Sequence, residues 1–238
     1  MDYRMTIIIP VFNEIDNLDR IYNTFTDYFS KSKTKSKVLF IDDGSTDNSF
    51  EKINEICSKN PDFEFLKFKE NCGLSAAIKA GIDHTNTELI GYIDADLQTT
   101  PYDFDILLED IDNHEAVIGY RGKRKDTLSK KIQSLIGNAV RRSLINDGVI
   151  DTGCPLKVLH TDAAKKIPFF KGMHRFIPAL ILLQNGTIKQ IKVQHFERIA
   201  GTSKFNIFNR LKALHDTFAY RWMRKSYINY DIEKSKIS

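Results

Sequence analysis

Three acidic clusters and one cationic turn follow the apolar runs of this sequence. After TIIIPV (Thr6 to Val11) comes Phe12-Asn13-Glu14, and after VLFI comes Asp42-Asp43-Gly44-Ser45-Thr46-Asp47. After LIGYI comes Asp94-Ala95-Asp96-Leu97-Gln98, and after AVIG comes Tyr120-Arg121. Asp94 and Asp96, two positions apart in a turn, can bring both carboxylates to one crevice. Without a cation such a pair repels itself, whereas magnesium or manganese accepts carboxylate, water and phosphate oxygen together. The same residues also suit a plain turn in which Asp96 caps a helix and Asp94 is solvated. Taken alone they leave both readings open, and the other acidic strand ends favour the first. Asp47 and Gly44 fit a strand-to-helix turn with Asp47 as cap, which leaves Asp42 and Asp43 free to accept hydrogen bonds from a ribose or a base N–H. No G-x-G-x-x-G follows a strand and no G-x-x-x-x-G-K-S/T occurs, so ordinary dinucleotide and P-loop sites are disfavoured.

These turns matter only if something places them together. Thr6 to Val11, Lys37 to Ile41, Glu64 to Phe68, Glu88 to Ile93 and Ala116 to Gly119 are short runs rich in β-branched and aromatic residues, and read as buried strands. Between them Ile15 to Tyr28, Ser49 to Ser58, Leu74 to Thr85 and Pro101 to Asp110 carry helical patterns. Alternation at this spacing predicts an α/β fold on a mostly parallel sheet, with ligands at the carboxyl ends of its strands. Beyond residue 120 the texture changes to a basic helical stretch, Ser129 to Leu144, then a loop with Asp151-Thr152-Gly153-Cys154 and mixed segments to about residue 198.

The chain has 238 residues, 42% of them hydrophobic, enough for one large core. Residues 119 to 142 carry eight Lys/Arg against one acid and residues 200 to 238 carry eight against three, so a mildly acidic body bears two cationic segments. That suits phosphates or an anionic surface. A nucleic-acid partner would leave the acidic strand ends without purpose and is set aside. Three cysteines at unrelated spacings suggest a reducing compartment, and neither a signal-peptide core nor a membrane-spanning run is evident.

The sequence resembles the inverting glycosyltransferases of family 2 with a GT-A fold, and within them the polyprenyl-phosphate sugar transferases. The matching pieces are IIPVFNE (8–14), IDDGSTDNS (41–49), NCGLSAAIKAG (71–81), DADLQ (94–98), IGYR (118–121), DTGC (151–154), HRFIPAL (174–180) and RIAGTSKF (198–205), in family order. The resemblance implies a catalytic domain over 1–205 and a basic, aromatic helical tail over 206–238. It further implies that Pro10, Phe12, Glu14, Ile41 and Asp43 line the nucleotide pocket and that Asp94 and Ala95 contact the nucleotide sugar. Asp96 and Gln98 would hold Mg²⁺ or Mn²⁺ on its diphosphate. Arg121, Lys130 and Ser134 would face the phosphates, with Arg198 and Lys204 closing over them. Lys130 stands where the pattern has arginine, keeping the charge and losing the bidentate geometry.

The implied reaction moves a sugar from a nucleotide diphosphate donor to a polyprenyl phosphate, undecaprenyl phosphate being favoured, at the cytoplasmic face of the membrane. Its catalytic residues would be Asp96 and Arg121. A lipid phosphate is already ionised and needs no general base, so Asp151 becomes a base only if the acceptor is a saccharide or glycolipid hydroxyl. His174, beside Arg175, is a candidate for the acceptor phosphate, and His195 reads as a structural histidine. The basic stretch and the tail, with Tyr220 and Trp222, mix apolar and cationic residues as interfacial helices do. Peripheral attachment to the membrane, or an integral-membrane partner, is the expectation.

Overall fold

The apolar runs become strands, and those over Met5–Val11, Ser36–Asp42, Leu89–Tyr92 and most of Ala116–Arg121 are covered on both faces, which is why they read as unbroken apolar sequence. In the computed structural model, residues 2–122, 145, 147–197 and 207–228 are described, with the backbone alone for 207–214. The chain runs β1 (Met5–Val11), α1 (Ile15–Lys31), β2 (Ser36–Asp42), α2 (Ser49–Lys59), β3 (Phe63–Lys67), α3 (Leu74–His84), β4 (Leu89–Tyr92) and α4 (Asp103–Leu108). A 3-10 turn (Ile111–Asn113), β5 (Ala116–Arg121), β6 (Lys157–His160), α5 (Thr161–Lys165), a second 3-10 turn (Met173–Phe176), α6 (Ile177–Leu183), β7 (Ile188–Val193) and α7 (Ile207–Ser226) follow.

Seven strands make one sheet in the order β3-β2-β1-β4-β6-β5-β7. β6 is antiparallel to β4 and β5, and the other neighbouring pairs are parallel. Alternate residues of β1 enter opposite layers. Ile7 and Ile9 pack with Leu18, Ile21 and Phe25 of α1 and with Ile53 of α2, while Ile8 packs with Ala77, Ile78 and Ile82 of α3. At about 1.5–3 kcal/mol for each fully buried aliphatic or aromatic side chain, these two layers set the register of the whole sheet.

The expected strands and helices of the first half are present with shifted ends. β3 begins and ends one residue early, and the helix expected over Pro101 to Asp110 keeps regular α-geometry only from Asp103 to Leu108. Asn48, not Asp47, occupies the N-cap position of α2, although Asp47 Oδ1 accepts the Ser49 amide at 3.0 Å and so does the capping. β6 and β7 were not among the expected strands. KVLH opens on a lysine and is only four residues long, and IKQIKV is an edge strand whose exposed Lys189 conceals its pattern while guarding the edge.

Helix α7 packs back on the second layer: the Tyr220 ring stacks on Phe176 with centroids 5.4 Å apart, and its hydroxyl donates to the Ala179 carbonyl at 3.1 Å. Phe218 and Trp222 point outward. The basic stretch Ser129 to Leu144 with Lys130 and Ser134, the loop with Arg198 and Lys204, and the boundary at 205/206 lie outside the described residues. Among the described residues no helix is long and apolar enough to cross a membrane.

Candidate active site

The site lies where the sheet reverses its direction of winding. From β1 the chain goes to β2 on one side, and β4 lies on the other, so a crevice opens beyond the carboxyl ends of β1 and β4. Pro10 helps to open it. The Ile8 carbonyl accepts the Ile93 amide, so residue 8 faces β4 and residue 10 faces the same way. The β1–β4 pairing ends at Ile8–Tyr92, and a proline that lacks an N–H costs no ladder bond beyond it. Two of the three non-glycine residues with positive φ among the described residues, Asn13 (53°) and Leu97 (47°), sit in the turns that follow, a conformation that costs energy and recurs at functional sites.

Each strand delivers its polar turn to this rim. Asp43, almost fully buried, accepts the amides of Cys72 (2.7 Å) and Gly73 (2.9 and 3.1 Å) and the Asn71 side chain (3.0 Å). The turn needs Gly44 in the left-handed region at φ 69°, and a Cβ there would lie 2.5 Å from the Glu70 backbone. Glu14 Oε2 accepts from Asn17 at 2.7 Å, Asn17 Oδ1 accepts from Arg20, and Arg20 donates to the Asp96 carbonyl. The first turns of α1 thereby brace the DADLQ turn. Ile41 and Ala95 are buried in the two core layers, and Phe12 is half-buried at the rim.

Asp94 and Asp96 sit together. Burial pushes the Asp94 carboxyl above its usual range, an effect to which the Asp96 charge adds and which Tyr92, Lys157 and Arg121 oppose. Tyr92 donates its hydroxyl to Asp94 Oδ1 at 2.6 Å, so Asp94 is no solvated turn residue. Asp96 Oδ1 accepts the Gln98 amide at 3.1 Å in a local turn. The Gln98 side chain donates through Nε2 to the Phe196 carbonyl, and the Gln98 main-chain carbonyl accepts from His195 Nδ1, which stitches the segment leading toward Arg198 onto the DADLQ turn. His195 is thus hydrogen-bonded as a structural histidine.

Two carboxylates and the amide oxygen of Gln98 form an all-oxygen donor set of the kind that magnesium and manganese accept. Among the described residues no cluster of three or more His, Cys, Asp or Glu side chains could hold a metal unaided. These residues fit a metal that brings further ligands with a bound diphosphate, and a divalent charge there would relieve the Asp94–Asp96 repulsion.

On the opposite side of the crevice Arg121, at the end of β5, is clamped by Asp151. Asp151 accepts the Arg121 Nε at 2.7 Å, its terminal nitrogen at 2.9 Å, its backbone amide at 3.2 Å and the Gly153 amide at 3.1 Å. Those four donors match the roughly four acceptor positions of a carboxylate. Part of the guanidinium's five-donor fork remains unused by this pair.

Lys157, which the sequence did not flag, is nearly fully buried on β6, donates to the Cys154 carbonyl and lies 5.3 Å from the centre of the Tyr92 ring. Burial pulls its pKa below the usual lysine range. Arg20 was also missed. Lysine at the start of a short antiparallel strand and arginine in the exposed pattern of a helix carry no local sign of their destination. Cys154 is buried, as expected of a small apolar residue.

A profile of glycosyl transferase family 2 matches residues 6–168. The chain belongs to that family. A dodecaprenyl-phosphate galacturonate synthase of Rhizobium johnstonii is 27% identical over 218 residues, which cover 89% of this chain and 64% of that protein. The chain therefore spans less than two thirds of the length of this relative. Among solved structures, glucosyl-3-phosphoglycerate synthase of Mycobacterium tuberculosis in complex with UDP superposes with TM-score 0.70 over 95% of this chain and 82% of that one, at 12% identity. A mannosyltransferase of Pyrobaculum calidifontis in complex with GDP-Man and Mn²⁺ gives TM-score 0.67 over 97% and 66%, at 14% identity. At such identities the likeness establishes the GT-A fold.

Proposed function

We propose that the protein is an inverting glycosyltransferase that moves a sugar from a nucleoside diphosphate donor to a polyprenyl phosphate, with undecaprenyl phosphate the favoured lipid, at the cytoplasmic surface of a membrane. The name of the Rhizobium relative, a polyprenyl-phosphate glycuronate synthase, supports the acceptor class, and the Mn²⁺–nucleotide complexes of the structural neighbours support the donor class. The observation in this protein that carries the acceptor is Asp151. A general base for a hydroxyl acceptor needs an open lone pair, and this carboxylate spends its acceptor positions on Arg121 and Gly153. A phosphate acceptor, already ionised, asks nothing of it.

In this reading the rim of β1 and β2, with Asp43 holding the Asn71–Gly73 loop beside it, lines the nucleoside pocket, and Asp94 orients the sugar. Asp96 and Gln98 hold the divalent ion, which when bound stabilises the charge that develops on the diphosphate leaving group. Arg121, aligned by Asp151, directs its remaining N–H donors toward phosphate oxygens. Arg198 and Lys204 close over the diphosphate, and Lys130 and Ser134 meet the acceptor phosphate. The tail, with outward Phe218 and Trp222 beside Arg221 and Lys225, rests on the membrane surface or on a membrane-embedded partner.

The test is a screen of nucleotide sugars by thermal shift with Mn²⁺ or with chelator, followed by transfer assays on undecaprenyl phosphate and on undecaprenol. One donor should stabilise only with metal, and its sugar should pass to the phosphate and not to the alcohol. Transfer to the alcohol alone would overturn the acceptor assignment.

A further inference from the structure

Ser75 and His174 are 99 residues apart in sequence and meet where the first turn of α3 packs on the Met173–Phe176 turn. Ser75 Oγ lies 2.8 Å from His174 Nδ1 and accepts the Gly172 amide at 3.0 Å. The serine is buried. Its hydroxyl has one proton, Gly172 uses it as an acceptor, and His174 Nδ1 is the remaining partner it has among the described residues. If Nδ1 carried the imidazole proton instead, the buried hydroxyl proton would have no acceptor. The ring therefore receives a hydrogen bond at Nδ1 and keeps its own proton on Nε2.

The surroundings also keep the ring uncharged. Burial, then the charges of Arg175 on the same turn and Lys157 on β6, pull the His174 pKa down to about 3. Arg175 is itself paired with Asp216 of α7 at 3.2 Å. Near two cations a neutral ring can still donate one hydrogen bond, and an imidazolium would add a third positive charge in a half-buried site.

We infer that Ser75 is a positioning residue that locks His174 in its Nε2–H tautomer, making the neutral ring a fixed N–H donor to a phosphate oxygen of the substrates. The phosphate half of this inference rests on the proposed function, and the tautomer half does not. The phosphate oxygen can belong to the donor diphosphate or to the acceptor.

The experiment uses the full chain labelled with ¹⁵N-histidine, with His174→Gln supplying the assignment. Histidine side-chain spectra should show one ring with Nε2 protonated and Nδ1 bare that does not titrate between about pH 5 and about pH 8. Ser75→Ala should mix its tautomers and Ser75→Thr should preserve them. An Nδ1–H ring in the parent protein, or an unchanged tautomer in Ser75→Ala, overturns the lock. Two binding arms then locate the oxygen through His174→Gln. Weaker binding of UDP with Mn²⁺ in the absence of acceptor, by about tenfold to a hundredfold, assigns it to the donor. The same rise in KM for undecaprenyl phosphate with nucleotide binding unchanged assigns it to the acceptor. If neither moves, the ring donates to no phosphate. If glycosyl transfer is absent altogether, the spectra still decide the tautomer.

Discussion

Two acidic pairs follow buried parallel strands in this protein, and they are built to opposite ends. Asp42 and Asp43, after β2, meet a loop whose backbone turns toward them: Asp43 takes up the amides of Cys72 and Gly73 and the Asn71 side chain, and Asp42 accepts the Ser45 amide. Asp94 and Asp96, after β4, receive one hydroxyl and one local amide on the side-chain oxygens described, and burial pushes Asp94 toward its neutral form. In the first pair Asp43 is neutralised by the fold's own N–H groups, while the Asp42 oxygen turned away from Ser45 is buried without a hydrogen-bond partner among the described residues. In the second, burial and the neighbouring Asp96 charge disfavour the ionised Asp94 against the pull of Lys157 and Arg121, and a divalent ion with a diphosphate is suited to stabilise it. Acidity at a strand end therefore has two meanings, and the donors around it distinguish them.

The sharpest way to break this comparison is to truncate one carboxylate from each pair. Asp96→Ala should reduce glycosyl transfer by at least about 10²–10³-fold, the scale of a lost electrostatic stabiliser, while the melting temperature of the metal-free protein changes little. Asp43→Ala should do the reverse in stability. It removes the acceptor of the Asn71, Cys72 and Gly73 donors, of which only Gly73 is half-buried, and should cost about 1–2 kcal/mol in denaturant unfolding, with Asp43→Asn recovering part of the loss. If both variants lose activity and stability alike, the two pairs are not different in kind.

How much of this was legible beforehand follows from the same contrast. The strands β1, β2, β4 and β5 announced themselves because both of their faces are buried, and each was followed by the turn that carries the chemistry. The rim was therefore readable from order alone. What the pattern could not reveal is which donors return to each carboxylate, since Asn71 to Gly73 reach Asp43 across a strand and a loop, and Arg20 reaches the DADLQ turn from 76 residues away. Lys157 stayed hidden for a related reason: a lysine in a four-residue strand looks like surface until the sheet closes around it. Asp151 showed its acidity but not its partnership with Arg121, whose guanidinium it holds.

His174 supplies a smaller effect with a defined pH window. Its folded pKa, about 3, is below the value of 6.5 it has when free. The unfolded chain thus binds a proton that the folded chain refuses, and the stability present above about pH 6.5 is lost as pH falls toward 3. Discounted for partial exposure, about 1–2 kcal/mol should disappear between about pH 7 and about pH 5. His174→Gln should flatten that limb in melts across the range, and an unchanged limb would place the acid sensitivity elsewhere.

The smallest expected effect tests the cost of ionising Asp94. The folded Asp94 carboxyl titrates above its ordinary value of 3.8, so folding stability falls as pH rises from about 3.8 through the folded value, and at neutral pH the ionised side chain is a net cost. Asp94→Asn removes the charge while leaving an oxygen to accept from Tyr92. In the presence of chelator the variant should be more stable than the parent at neutral pH. Mn²⁺ with UDP should invert the order, because the parent then gains the attraction that the amide lacks. A parent protein that is the more stable of the two without metal would mean that Lys157 and Arg121 already balance the pair, and that the crevice beyond β4 does not await a cation.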